Sequence, residues 1–145
     1  MDVEQISDSN TATVDQFADR ARATIYQGFD QIVPGTYGYD YAPGTGNVGT
    51  ITQTATGDDS KADIIQGGSD NTASTTQSGA SNLSQLNQLG SGHTADVTQS
   101  GADNESLLVQ YGTGNDASVT QSSNNNSSTV NQNGSGNTVT VTQGL

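Results

Sequence analysis

The side chains of this chain that are best placed to do chemistry together are carboxamides. Gln66, Gln77, Gln88, Gln99, Gln110, Gln121, Gln132 and Gln143 follow one another at a constant step of 11 residues, and the same step links Gln5, Gln16 and Gln27. Gln53, 13 residues before Gln66, joins the two series. Six residues ahead of most of these glutamines stands an asparagine: Asn10, Asn47, Asn71, Asn82, Asn104, Asn115, Asn126 and Asn137. A primary amide carries both donors and acceptors, so identical copies stacked along one axis satisfy each other without water. Such a stack offers hydrogen-bonded templating rather than bond cleavage.

Other chemistry finds few residues. With one histidine and no cysteine, the usual metal and nucleophile constellations cannot be assembled. His93 falls in the asparagine slot ahead of Gln99, which reads as a substitution within the ladder. Asp58, Asp59, Asp63, Asp70, Asp96, Asp103, Glu105 and Asp116 fall mostly at turns or outward slots. The glycine-aspartate nonapeptide of calcium-loaded β-rolls does not recur; Gly67-Gly68-Ser69-Asp70 is only a fragment of it. These acids read as gatekeepers that repel stray chains. No catalytic, metal or cofactor site is expected, and no enzyme.

The elements that must position the amides follow from the spacing inside a unit. In Asn115, Ala117, Val119, Gln121 and in Asn137, Val139, Val141, Gln143, every second residue is an amide or a small or branched aliphatic. That alternation marks a strand with one buried face. Two residues after the glutamine comes glycine at Gly68, Gly79, Gly90, Gly101, Gly112 and Gly134, with Ser123 the exception in that stretch. Glycine there allows the positive φ a reversal needs, and glycine in every unit opposes a helix. The reading is an all-β parallel β-solenoid, a cross-β stack with two strands per coil, half-coils of 11 residues and about six coils. Each unit then lies over the unit two places earlier, and the amide ladder stands in for an oily core.

One continuous solenoid is expected, made of half-coil units over residues 1–27, a loop insertion over 28–46 and regular repeats over 47–145. The insertion holds Pro34, Pro43, Tyr37, Tyr39 and Tyr41. The last strand, with Asn137, Val139, Val141 and Gln143, is the expected assembly edge. Its open backbone groups would template the first units of another copy, giving a homopolymer.

Composition is consistent with this reading and excludes several partners. Only 29% of residues are hydrophobic and the net charge is -12, values that would suit a disordered chain were it not for the repeat. Three basic against fifteen acidic residues leave no footprint for nucleic acid, and no apolar run is long enough to insert in a membrane. Met1 is followed by polar residues where an export leader would carry its apolar stretch, so an exported form is expected to have lost an upstream signal.

A unit of Asn, small residue, β-branched residue, Gln and Gly at these offsets resembles the curlin repeat of bacterial curli fibres. The resemblance is strong over residues 66–145 and looser over 1–27 and 47–66. It departs from the pattern at the insertion, at Ala21 and Ser60 in the asparagine slot, and at Thr75. What the resemblance implies is a secreted, extracellular subunit of functional amyloid in a biofilm matrix, serving adhesion at the cell surface. It also implies a nucleating minor subunit and curli-type secretion factors as partners, with this chain closer to the major subunit. An alternative from another class comes from outward threonines such as Thr72, Thr76, Thr94, Thr98, Thr138, Thr140 and Thr142. They resemble the ice-binding face of a monomeric β-solenoid antifreeze protein.

Overall fold

The computed structural model describes residues 1–5, 9–17, 20–29, 44–54 and 59–144. The tyrosines and prolines of the insertion lie outside these residues, as does Asp58. The described residues form strands β1 (Asp2–Gln5), β2 (Thr11–Gln16), β3 (Arg22–Phe29), β4 (Val48–Thr54), β5 (Lys61–Ser69) and β6 (Thr72–Ser78). They continue as β7 (Leu83–Ser91), β8 (Thr94–Ser100), β9 (Glu105–Thr113), β10 (Asp116–Gln121), β11 (Ser127–Ser135) and β12 (Thr138–Gln143). Odd strands stack in one six-stranded sheet, β1-β3-β5-β7-β9-β11, and even strands in a second, β2-β4-β6-β8-β10-β12. Every pairing is parallel. The chain is a parallel β-solenoid whose rungs each hold one strand from either sheet.

Register is set by the unit. In the regular part Gln88 pairs with Gln110 and Gln110 with Gln132, 22 residues apart, two units of the sequence period. The insertion does not disturb this. Gln27 lies on Gln66 across 39 residues and Gln16 on Gln53 across 37, so the glutamines on either side of the extra chain are in phase. A slip of one residue would turn every buried side chain outward; the one register shift at the start of the insertion, where Phe29 rather than Gly28 pairs with Gly67, falls after Gln27 and leaves the ladder in phase.

The interior corrects one expectation. An aliphatic core does exist, slim but dry. Ile25, Ile64, Leu86 and Leu108 are 0% exposed and stack in one column, capped by Val130; Ile51, Val97 and Val119 form a matching column from the other sheet. Small inward residues, Ala23, Ala62, Ala73, Ala95 and Ala117, keep the two sheets close. Thr75, the one hydroxyl in the second column, meets the Ser84 hydroxyl at 3.2 Å and is thereby satisfied. The low overall hydrophobic content is concentrated at the inward slots, where two of every eleven residues fill a narrow coil. The amides flank this core at both ends of each strand rather than replacing it.

Candidate functional site

The glutamines form two continuous ladders. In the first sheet Gln5, Gln27, Gln66, Gln88 and Gln110 each donate Nε2–H to Oε1 of the next, ending at Gln132, over 2.9, 2.7, 2.9, 3.0 and 2.8 Å. In the second, Gln16, Gln53, Gln77, Gln99 and Gln121 do the same, ending at Gln143, over 2.7, 2.8, 2.9, 2.9 and 2.9 Å. Every donor points toward the C-terminal rung. The same amides also reach across the coil to backbone carbonyls of the facing strand, as Gln88 does to Thr72 O at 2.9 Å and Gln110 to Thr94 O at 3.0 Å. Gln27, Gln66, Gln88, Gln99, Gln110 and Gln121 are wholly buried, and each unit thus closes the narrow end of the coil with satisfied polar groups.

The asparagines work differently from the side-chain ladder expected of them. Amide-to-amide contact links Asn47 with Asn71, Asn104 with Asn126 and Asn115 with Asn137. Their recurring task is to accept, through Oδ1, the backbone N–H of the residue in the same slot one rung on. Asn10 takes Asn47 N–H at 2.9 Å, Asn47 takes Asn71, Asn82 takes Asn104 and Asn115 takes Asn137. The Nδ2 group then binds the arc. Asn115 donates to Tyr111 O at 2.9 Å and to Gly134 O of the next rung at 3.1 Å; Asn71 likewise reaches Gly90 O and Asn82 reaches Gly101 O. Asparagine and turn glycine are one device.

That device explains the glycines. Gly68, Gly79, Gly90, Gly101, Gly112 and Gly134 all have positive φ, and glycine stacks on glycine so closely that a Cβ on Gly112 would lie 2.1 Å from Gly134 O. A second positive-φ position lies four residues after the glutamine, among the polar neighbours of the turn glycine. It is filled by Ser9, Arg20, Asp70, Ser81, Gly92, Asp103, Gly114, Asn125 and Gly136, mostly the glycine, aspartate and asparagine that tolerate the left-handed region, with serine and arginine held there by the register.

The family model of the curlin-associated repeat matches residues 68–101, 94–122 and 112–144, overlapping segments that together cover more than half of the chain. The chain belongs to the curlin-associated repeat family. No curated protein matches it significantly. The family is structural rather than enzymatic.

Two of the replacements in the asparagine slot, Ser60 and His93, keep its acceptor, whereas Ala21 has none and nothing in the structure explains it. Ser60 Oγ accepts Asn82 N–H at 3.2 Å. His93 supplies Nδ1 to Asn115 N–H at 3.2 Å, while Nε2 lies 3.3 Å from Leu89 O in the place of the amide donor. That arrangement requires the neutral Nε2–H tautomer. Burial pushes the His93 imidazole below its usual range, and protonation would set N–H against N–H at Asn115. Since the unfolded chain then binds the proton more readily, this contribution to stability is complete above about pH 6.5 and is lost as pH falls below it. Protection of the Asn115 amide from exchange, corrected for the intrinsic rate, is expected to drop between about pH 7.5 and about pH 5. His93→Asn should abolish that drop; an equal drop in both proteins contradicts the assignment.

The last strand also differs in detail from the expected edge. Asp116 N–H donates to Asn137 O and Ser122 N–H to Gln143 O, so by alternation the backbone groups of Val139, Val141 and Gln143 turn back to β10. Their side chains face the interior, where Val139 and Val141 are only partly buried. The groups facing away from the stack belong to Thr138, Thr140 and Thr142. Among outward side chains, the even-strand wall carries the threonine columns, including Thr52, Thr76, Thr98, Thr120 and Thr142 in register. The odd-strand wall is mixed, with a shallow hollow of about 220 Å³ lined by Arg22, Thr24, Tyr26, Asp63, Ile65, Gln85 and Asn87.

Proposed function

We propose that this chain is a secreted structural subunit that polymerises head to tail into extracellular, curli-like amyloid fibres of a biofilm matrix, with adhesion as their role at the cell surface. One observation carries the reading: among the described residues, the strands at both ends of the solenoid are parallel edge strands. β1 and β2 lie at one end, β11 and β12 at the other, and each has one hydrogen-bonded neighbour strand where inner strands have two. The aliphatic residues left partly covered, Ala12, Val14, Val139 and Val141, are those of the end rungs. A second copy set on either edge would pair the backbone, extend both amide ladders and cover those residues at once. A nucleating minor subunit and secretion factors that hold the chain soluble before assembly complete the proposal. Ice binding by the threonine wall finds no support in the family.

The purified chain is expected to form fibres on standing and to give a meridional reflection near 4.7 to 4.8 Å, the spacing of stacked strands. A monodisperse monomer with no such reflection, at any concentration tried, contradicts the proposal.

A further inference from the structure

We infer that the junction between copies has a fixed polarity and register, written into the end rungs by ladder direction and by charge. This rests on the polymer reading above and specifies it. The Gln ladders run one way: acceptors are left over at Gln5 Oε1 and Gln16 Oε1, and the donors of Gln132 and Gln143 have no further glutamine to reach. The asparagine relay runs the opposite way, leaving Asn137 Oδ1 to take a backbone N–H from a following rung. The first rung of a second copy therefore fits on the last rung of the first; continuing the pairing inside the chain, where odd strands stack on odd and even on even, sets Gln5 over Gln132 and Gln16 over Gln143.

Charge selects the same contact. No Asp, Glu, Lys or Arg follows Asp116, so β11 and β12 are uncharged, whereas β1 and β2 carry Asp2, Glu4 and Asp15. Within the chain no strand acid is stacked on another: Asp96 lies between Ser74 and Ser118, Asp116 between Thr94 and Thr138, Glu105 between Leu83 and Ser127. In the inferred register the rule continues across the junction. Asp15 comes to rest on Thr142, Glu4 on Asn131 and Asp2 on Thr129. The charge-free rung is a template for an acidic one, and acid facing acid directly across strands is avoided.

Elongation from preformed seeds at low salt tests this, with seeds and soluble chain of the same variant. Thr142→Asp is expected to slow elongation by roughly fivefold or more, and added salt should lift most of the effect. Inside its own molecule the new aspartate stacks only on Thr120, so circular dichroism of the variant should match the parent. Thr98→Asp, between Thr76 and Thr120, adds the same charge away from the junction and should elongate at the parental rate. Asp15→Lys in the Thr142→Asp background should restore the rate, and Glu4→Lys should not. Rescue by Glu4→Lys instead would place odd strands on even and overturn the register. Equal rates for Thr142→Asp and the parent would overturn it too, while leaving polymerisation standing; failure of the parent itself to elongate would overturn the polymer reading beneath it.

Discussion

Gln88→Leu is expected to be among the most destabilising single changes in this protein, although leucine is close to glutamine in volume and more hydrophobic. Gln88 is wholly buried, accepts from Gln66 at 2.9 Å and donates to Gln110 at 3.0 Å and to Thr72 O at 2.9 Å. Leucine leaves Gln110 Oε1 and Thr72 O without these donors and takes one acceptor from Gln66, which keeps Val48 O and Asn71 O. At about 1 to 3 kcal/mol for each buried group left unsatisfied, the loss is about 2 to 5 kcal/mol. Gln143→Leu removes the same side chain from the last rung, where it holds only Ser127 O and the Gln121 donor and is partly exposed. It should cost about 1 kcal/mol. Denaturant midpoints of the soluble chain measure both; equal shifts would mean that the interior ladder has no special weight.

The second large effect separates two glycines two residues apart. Gly112 and Gly114 both have positive φ, 105° and 62°, so alanine is strained at either. An added Cβ at Gly114 meets nothing within 4 Å, whereas at Gly112 it lies 2.1 Å from the carbonyl oxygen of Gly134. Gly114→Ala should therefore cost only the conformational penalty of about 1 kcal/mol. Gly112→Ala must also push two rungs apart and break the bond from Asn115 Nδ2 to Gly134 O, for a total of about 3 kcal/mol or more. The same midpoints test this, and comparable costs at the two sites would contradict the close glycine-on-glycine stack.

Much of the fold was legible because its decisive residues are both periodic and chemically narrow. Only glutamine reaches from one rung to the next and across the coil together, so its slot tolerates no substitute in any of the twelve units. Asparagine was legible in place but not in role. Its slot asks for an acceptor toward a backbone N–H, a demand Ser60 and His93 also meet, and such side chain to backbone pairing leaves no mark in composition. The exact place of the second positive φ was hidden for the same reason, since glycine, aspartate, serine, asparagine and arginine all occupy it. The aliphatic core was undervalued because hydrophobic content was averaged over a chain whose outward half is threonine, serine and acid. The edge backbone needed bond direction as well as side-chain phase: Val141 faces inward, yet Thr140 next to it presents the open groups.

The spacing of the glutamine contacts tests the central claim most directly. In the assembled protein, solid-state nuclear magnetic resonance with labelled glutamine side chains should show transfer from Gln88 Nε2 to the side-chain carbonyl carbon of Gln110, its partner 22 residues on. Transfer to Gln99 in the facing sheet in place of Gln110, or side-chain amides that exchange as freely as in water, would contradict the ladder and everything argued from it.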